Sequence, residues 1–219
     1  MTDHAAQVRA DRDRLVTAML PHVPFDGWSA AGLTRAAQSL DMSVGEAGIL
    51  FPEGARAAIA HFVDLADRLM AEDLAARDIT KLKLREKVTL AVRLRLERWT
   101  PHREAVRRAL IAMPVKAGPT VSVESLYRTV DAIWRAVGDR SHDFSFYTKR
   151  ALLAGVYGST LLVWLDDKSE NSADTWAFLA RRIDNVMQVP KLRARLEERL
   201  ARLPIPLRLL RRARQHGAG

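Results

Sequence analysis

The amino-acid sequence predicts an all-α fold, on three grounds. Apolar residues recur at three- and four-residue spacing through most of the chain, strict apolar–polar alternation is scarce, and prolines fall between the periodic runs. One helix is expected from about Val8 to Leu20, stopping before Pro21 because proline lacks the N–H donor and disfavours helix in the residue ahead of it. Pro24 and Gly27 extend that break. A second helix should start after Ser29, a good N-cap, and carry Leu33, Ala36, Ala37 and Leu40 on one face. After a tight turn at Asp41-Met42, Ser43 can cap a short helix holding Val44, Ala47 and Leu50, which ends at Phe51-Pro52-Glu53-Gly54. This is a helix-turn-helix outline.

A long helix is expected from Ala55 to about Arg77, with Ile59, Phe62, Val63, Ala66 and Leu69 facing the core. The stretch Lys81 to Arg98 keeps Leu84, Val88, Ala91, Val92 and Leu96 in register among Lys and Arg, so its exposed face should be basic. Pro101, Pro114 and Gly118-Pro119 punctuate the chain. Helices resume at Ser122 to Val137, Phe146 to Leu165 and Ser172 to Met187, and Pro190 separates a last segment, Lys191 to Leu203. Three parts follow from this order: residues 1–76 with the helix-turn-helix, a helical ligand-binding body over 77–187, and a basic amphipathic tail over 188–219.

With 219 residues, 48% of them hydrophobic and 28% charged, the chain has the balance of a folded soluble protein. The absence of cysteine excludes disulfides, thiolate metal sites, iron–sulfur clusters and cysteine nucleophiles. Asp3, Asp11 and Asp13 make the amino-terminal stretch neither a secretory signal nor an acid-poor transit peptide, which suggests a cytoplasmic protein. The uncharged helical run Ala151 to Leu165 is shorter than the roughly 20 residues that span a bilayer, so it reads as a buried helix.

The formal charge of +9 is unevenly placed. Residues 1–76 hold 6 basic against 11 acidic side chains, residues 77–108 hold 11 against 4, residues 109–187 balance at 9 each, and the last 32 residues hold 9 against 2. A helix-turn-helix at the head of a helical body suggests a TetR-type, ligand-responsive transcriptional repressor. From Ala36 through Ala55, however, there is no Lys or Arg, and the second helix offers Ser43, Gly45, Glu46 and Gly48. Phosphate neutralisation supplies nearly all non-specific DNA affinity. An acidic unit of this kind is expected to serve as scaffold, with no nucleic acid as partner.

The six histidines form no HxxH, HxxxH or ExxH pattern, and no GxGxxG, GxxxxGK[ST] or GxSxG occurs, so neither a metal, a cofactor nor catalysis is expected. His61 with Asp64, and Asp139 with His142, are spaced to share a hydrogen bond or, less readily, a metal. The run ALLAGVYGSTLLVWL interleaves bulky side chains with Ala154, Gly155, Gly158 and Ser159, which leaves room either for another helix or for an apolar ligand. In the tail, Leu192, Leu196, Leu200 and Leu203 form a narrow helical stripe bordered by arginines, and Ile205, Leu207, Leu209 and Leu210 with Arg208, Arg211, Arg212 and Arg214 repeat the theme. A helix lying on an anionic membrane has this pattern, with about 1 kcal/mol from each basic residue.

The stretch from Thr129 to Met187 holds GDRSHDFSFYTKRALLAGVYGSTLLVW and DTWAFLARRIDNVM. These runs resemble the ubiquinone-biosynthesis accessory protein family, the ninth of the Coq proteins, and Pro24-Phe25-Asp26-Gly27-Trp28 and His61-Phe62-Val63 extend the likeness more weakly. The resemblance implies a TetR-like fold without action on DNA, and a lipid carrier without chemistry of its own. It implies isoprenoid quinones or their precursors as ligand, an anionic membrane surface bound through the tail, and the di-iron demethoxyubiquinone hydroxylase as partner. A homodimer is a further expectation. Carried onto this sequence, the partner-facing patch falls on Asp131, Trp134, Asp143, Phe146, Tyr147 and Arg150. Lipid contacts fall on Trp134, Leu152, Leu153, Val156, Tyr157, Leu161, Trp164 and Phe178, and membrane contacts on Leu196, Leu200, Leu203, Ile205, Leu207, Arg208, Leu210 and Arg211. Two positions depart from the family pattern: Phe146, where Trp is common, and Lys149, where Arg is common. An aromatic at 146 still qualifies as an interface anchor. The bacterial members lack a transit peptide, so the expected place is the inner face of a bacterial inner membrane. Replacing Leu200 and Leu203 together by glutamate is expected to abolish sedimentation with anionic vesicles without loss of helical circular dichroism; unchanged sedimentation would remove the tail as the membrane contact.

Overall fold

Helices account for nearly all regular structure in the computed structural model of the chain, which describes residues 2–112, 119–139 and 144–186. Among the described residues there is no strand, and no helix is long and apolar enough to cross a membrane. Two compact units are distinguished, Met1–Leu179 and Ala180–Gly219; in the second, the described residues 180–186 are helical. The tail segments over 188–219 lie outside the described residues.

The first helix, α1 (Thr2–Met19), starts well before Val8 and ends ahead of Pro21 as proline chemistry requires. Pro24 does not lengthen the break: it sits at the first turn of a short helix α2 (Val23–Asp26), where a missing N–H costs nothing. Gly27 follows at φ 69°, and Gly32 must remain glycine because a Cβ there would lie 2.8 Å from the Gly27 carbonyl oxygen. Ser29 caps α3 (Ala30–Gln38), its Oγ accepting from Gly32 N at 3.2 Å. Ser43 and Glu46 form a reciprocal capping box at the start of α4 (Val44–Leu50), and those hydrogen bonds hold the Glu46 carboxyl below its usual range. The helix-turn-helix is thus present. On α4, Val44 is 57% exposed, beside Ile49 at 80%.

From Gly54, at φ 60°, the chain enters the spine α5 (Ala55–Ala75), which packs against α1, α6 (Leu84–Glu97) and α8 (Pro119–Ala136). Between α6 and α8, where sequence reading placed only punctuation, lies a further helix, α7 (Arg103–Ala112), whose Ala105 and Ala109 are buried. The last long helix, α9 (Phe144–Asp166), packs on α8, α6 and α7. Asp167 ends it and starts the helical run 173–186. Its carboxylate accepts from Ser169 N at 2.7 Å and from Thr175 N at 2.9 Å. Slight burial works the other way, but these bonds and the Ser169 and Thr175 hydroxyls hold that carboxyl well below the usual carboxylate range.

Much of the basic block over 77–108 is paired within the chain, mostly at the surface. Arg93 pairs with Glu97 at 2.7 Å, Arg98 with Asp73 at 2.6 Å and Arg108 with Glu104 at 2.9 Å. On α7, Arg107 donates to the Leu165 carbonyl at 2.7 Å, and Arg103 donates to the Asp167 carbonyl and Ser172 Oγ while stacking over Trp164. Cations at the carboxyl end of α9 are favourable because its last carbonyls have no partners within the helix. His61 bonds to Asp13 of α1 at 2.7 Å rather than to Asp64, which takes Arg68 instead. Asp139 takes Lys149 at 3.1 Å, and His142 lies outside the described residues.

Arg95 is the largest departure from the expected basic outer face of α6. It is 8% exposed and joins four helices: Nε donates to Asp67 Oδ1 on α5 at 2.7 Å, Nη1 to the Tyr157 hydroxyl on α9 at 2.5 Å, and Nη2 to Thr129 Oγ1 on α8 at 3.2 Å. Thr129 in turn donates to Asp67 Oδ2 at 3.1 Å, closing the cluster. Burial opposes the Arg95 charge, but Tyr157 and Asp67 beside it together outweigh that cost and the guanidinium is held above its usual value. Burial also pushes the Tyr157 phenol up, which keeps it neutral.

Asp67→Ala should cost about 3–5 kcal/mol in urea unfolding by leaving the Arg95 charge buried and unpaired, and Asp67→Leu combined with Arg95→Met should recover most of that loss. A second expectation concerns pH. Burial lowers His61, with Arg12 and Arg68 adding to the effect and Asp13 opposing it; burial alone lowers His102. Protonation then favours the unfolded chain, so stability is complete above the ordinary histidine value and declines as pH falls through it. The melting temperature should drop between about pH 7.5 and about pH 5.5, and drop less in the His61→Gln/His102→Gln variant.

Candidate functional site

Five helices, α5 to α9, line a half-open cavity of about 280 Å³. Helical spacing builds each wall: Tyr157, Leu161 and Trp164 are four and three residues apart on one face of α9, and Val106, Ala109 and Leu110 repeat the arrangement on α7. Phe62 and Val63 come from α5, Leu96 from α6 and Trp99 from just beyond it, and Leu126 from α8. Behind this wall Trp28 packs on Phe62 at 5.6 Å between ring centroids, and Phe62 meets Trp99 edge to face at 4.8 Å. The Trp28 indole donates to the Ala105 carbonyl at 2.9 Å, tying the segment before α3 to α7.

The polar part of the wall is the Arg95 cluster, with Thr129 and Tyr157 lining the cavity beside Ser125. The indole N–H groups of Trp99 and Trp164 find no acceptor among the described residues. Ligand sites combine an apolar lining with a few convergent polar groups in this way, and at about 280 Å³ this one falls just below the usual range of about 300–1,000 Å³. A head group and a short stretch of chain fit; a long chain would extend beyond it. A larger groove of about 610 Å³ between α5 and α8 is lined by Asp64, Asp67, Arg68, Arg128, Asp131 and Arg135 among others. Those charges hold water better than they hold an apolar molecule. Among the described residues no group of three or more His, Asp or Glu is arranged to hold a metal.

Of the eight lipid-contact candidates, Tyr157, Leu161 and Trp164 lie on the cavity wall. Leu153 and Val156 are buried, Leu152 and Phe178 are half-buried, and none of these four lines the cavity. Trp134 is also off the wall, covered by the Lys149 ammonium 5.7 Å from its ring. The interleaved small residues on α9 neither line the cavity nor admit a described helix: a Cβ on Gly155 or Gly158 would meet nothing within 4 Å, and Leu162 near them is 62% exposed. Sequence reasoning missed Arg95, Trp99 and the contributions of α7 and α8. Only the aromatic character of Trp99 and the interruption of the basic run by in-register apolar residues hinted at them.

In the partner-facing set, Asp131 and Arg150 pair with each other at 2.6 Å, and Arg135 joins Asp131 at 2.6 Å. Arg150 is only 4% exposed, so it can position Asp131 but offers little surface of its own. Asp143 lies outside the described residues, as do the side chains of Phe146 and Tyr147, whose backbone belongs to α9. Leu196, Leu200, Leu203, Ile205, Leu207, Arg208, Leu210 and Arg211 also lie outside them.

Comparison with known proteins gives this architecture a family. The COQ9 family model matches residues 120–190. Ubiquinone biosynthesis protein COQ9-B, mitochondrial, of Xenopus laevis is 36% identical over 200 residues, covering 85% of this chain and 68% of its own length. COQ9 of Xenopus tropicalis is 37% identical and that of Homo sapiens 34%, each across 80% of this chain and 57% of the relative. The chain therefore spans between 57% and 68% of the length of these relatives. Among solved structures, a TetR transcriptional regulator from Nitrosomonas europaea superposes with a TM-score of 0.65 at 20% identity, covering 81% of this chain and 98% of that one. At that identity the likeness is one of fold, and it bears out the TetR-like architecture expected from the helix-turn-helix. With more than a third of positions identical over most of its length, the chain belongs to the COQ9 family.

Proposed function

We propose that this protein acts in ubiquinone biosynthesis as a lipid-binding accessory factor, carrying an isoprenoid quinone or precursor without performing chemistry on it. The observation that carries the reading is the apolar cavity with a single polar patch, set in a chain whose relatives are named for that pathway. The mechanism is physical. The basic amphipathic tail holds the protein on anionic lipid, the cavity receives an extracted lipid, and an acidic-aromatic patch around Asp131, Phe146 and Tyr147 docks the di-iron demethoxyubiquinone hydroxylase. The exposed α9 stripe of Gly155, Gly158 and Leu162 suits the close approach of a helix from a second copy. The membrane in question follows the source of the protein; the named relatives are mitochondrial, and the expected inner face of a bacterial inner membrane gains no support from them.

The fold is shared with DNA-reading regulators, yet the surface of α4 favours the non-DNA reading. Val44 and Ile49 are exposed there with Glu46, and no cation lies between Ala36 and Ala55 to meet phosphate. Natively purified protein, extracted with organic solvent and analysed by mass spectrometry, should yield quinone-type isoprenoids in near-stoichiometric amount. An empty extract from protein that still sediments with anionic vesicles would leave a docking module and overturn lipid carriage.

A further inference from the structure

The polar patch in the cavity has an uneven supply of hydrogen-bonding groups. A guanidinium carries five N–H donors. Arg95 uses one each toward Asp67, Tyr157 and Thr129, so Nη1 and Nη2 each keep a second hydrogen with no acceptor among the described residues. Tyr157 accepts from Arg95, and its own hydroxyl hydrogen also has no acceptor there. On the acceptor side, Asp67 takes Arg95 on Oδ1 and Thr129 on Oδ2, and the Thr129 oxygen both accepts and donates. The wall therefore presents donors in excess, at residues only 8% and 4% exposed. A buried donor without an acceptor is costly, so the patch is complementary to an oxygen acceptor brought in from outside.

Charge selects the kind of oxygen. Asp67 lies 2.7 Å from the Arg95 guanidinium, so the pair is already neutral. A phosphate or carboxylate placed beside it would add an uncompensated negative charge to an apolar cavity. A carbonyl oxygen accepts two hydrogen bonds and adds none. We propose that Arg95 and Tyr157 form a head-group subsite that holds a neutral carbonyl oxygen of quinone type, while Phe62, Leu96, Trp99 and Trp164 take the first part of the tail. This rests on the reading of the cavity as the site of lipid carriage and adds an orientation to it. The ring is thereby held at the Arg95 and Tyr157 side of the cavity, with the tail against its aromatic side.

The test uses the full chain and three probes: ubiquinone with two isoprene units, the hydrocarbon squalene, and phosphatidylglycerol. Ubiquinone binding is read from quenching of tryptophan fluorescence, and the other two from competition. Tyr157→Phe should weaken ubiquinone roughly tenfold, the loss of one well-placed hydrogen bond, while squalene competition stays unchanged. In the wild type the quinone carbonyl stretch should shift to lower frequency on binding, and in Tyr157→Phe it should shift less. Equal weakening of both probes would assign Tyr157 to the fold alone and overturn the subsite, as would unchanged affinity for both or preference for phosphatidylglycerol over ubiquinone. Failure of the wild type to bind either ubiquinone or squalene would instead overturn lipid carriage, and the subsite with it.

Discussion

A guanidinium taken out of water is the constraint around which the body of this molecule is arranged. Arg95 can remain charged only where a carboxylate faces it and its other hydrogens find oxygen. Asp67, Thr129 and Tyr157 meet those needs from three further helices, so the relative positions of α5, α6, α8 and α9 are fixed by one set of polar bonds. Apolar packing tolerates sliding and repacking far better than a hydrogen-bonded charge does. The cavity opens beside this cluster. Its walls are apolar and could close on themselves; the cluster holds four of the wall helices in a fixed arrangement.

Much of the fold was legible because it is written in short-range chemistry. Ser29 and Ser43 announce two helix starts, Pro21 a helix end and Gly54 a sharp turn, and each behaves as its local physics requires. The site was legible only in part. Tyr157, Leu161 and Trp164 share one helix face and could be found by spacing, whereas Phe62, Trp99, Val106 and Thr129 reach the same cavity from helices whose packing is set by tertiary contacts. Arg95 was hidden by its surroundings. In a run rich in Lys and Arg, periodicity assigns cations to solvent, and nothing local marks the one whose partner is 28 residues away. The small residues on α9 misled for the same reason, since a stripe of glycines shows that something can come close without showing which side of the helix it is on.

Charge counts needed the same correction. The excess over residues 77–108 suggested a basic surface, but part of it caps the end of α9 or pairs with acids on α5. Net charge describes how a chain meets its surroundings only after internal pairs are removed. In the sequence of the last 32 residues, 9 basic side chains stand against 2 acidic ones.

The distribution of the cavity walls along the chain has a consequence for biogenesis. Asp67 and Arg95 emerge from the ribosome well before Tyr157, which is 62 residues beyond Arg95. Until α9 docks, the Arg95–Asp67 pair lacks its last partner and the apolar faces of α5 to α8 are open on one side. Non-local closure of this kind comes late in folding. A lipid present at that moment would bind only the completed state and pull the equilibrium toward it. Under the proposed lipid carriage, docking of α9 and uptake of a first ligand would be one coupled event.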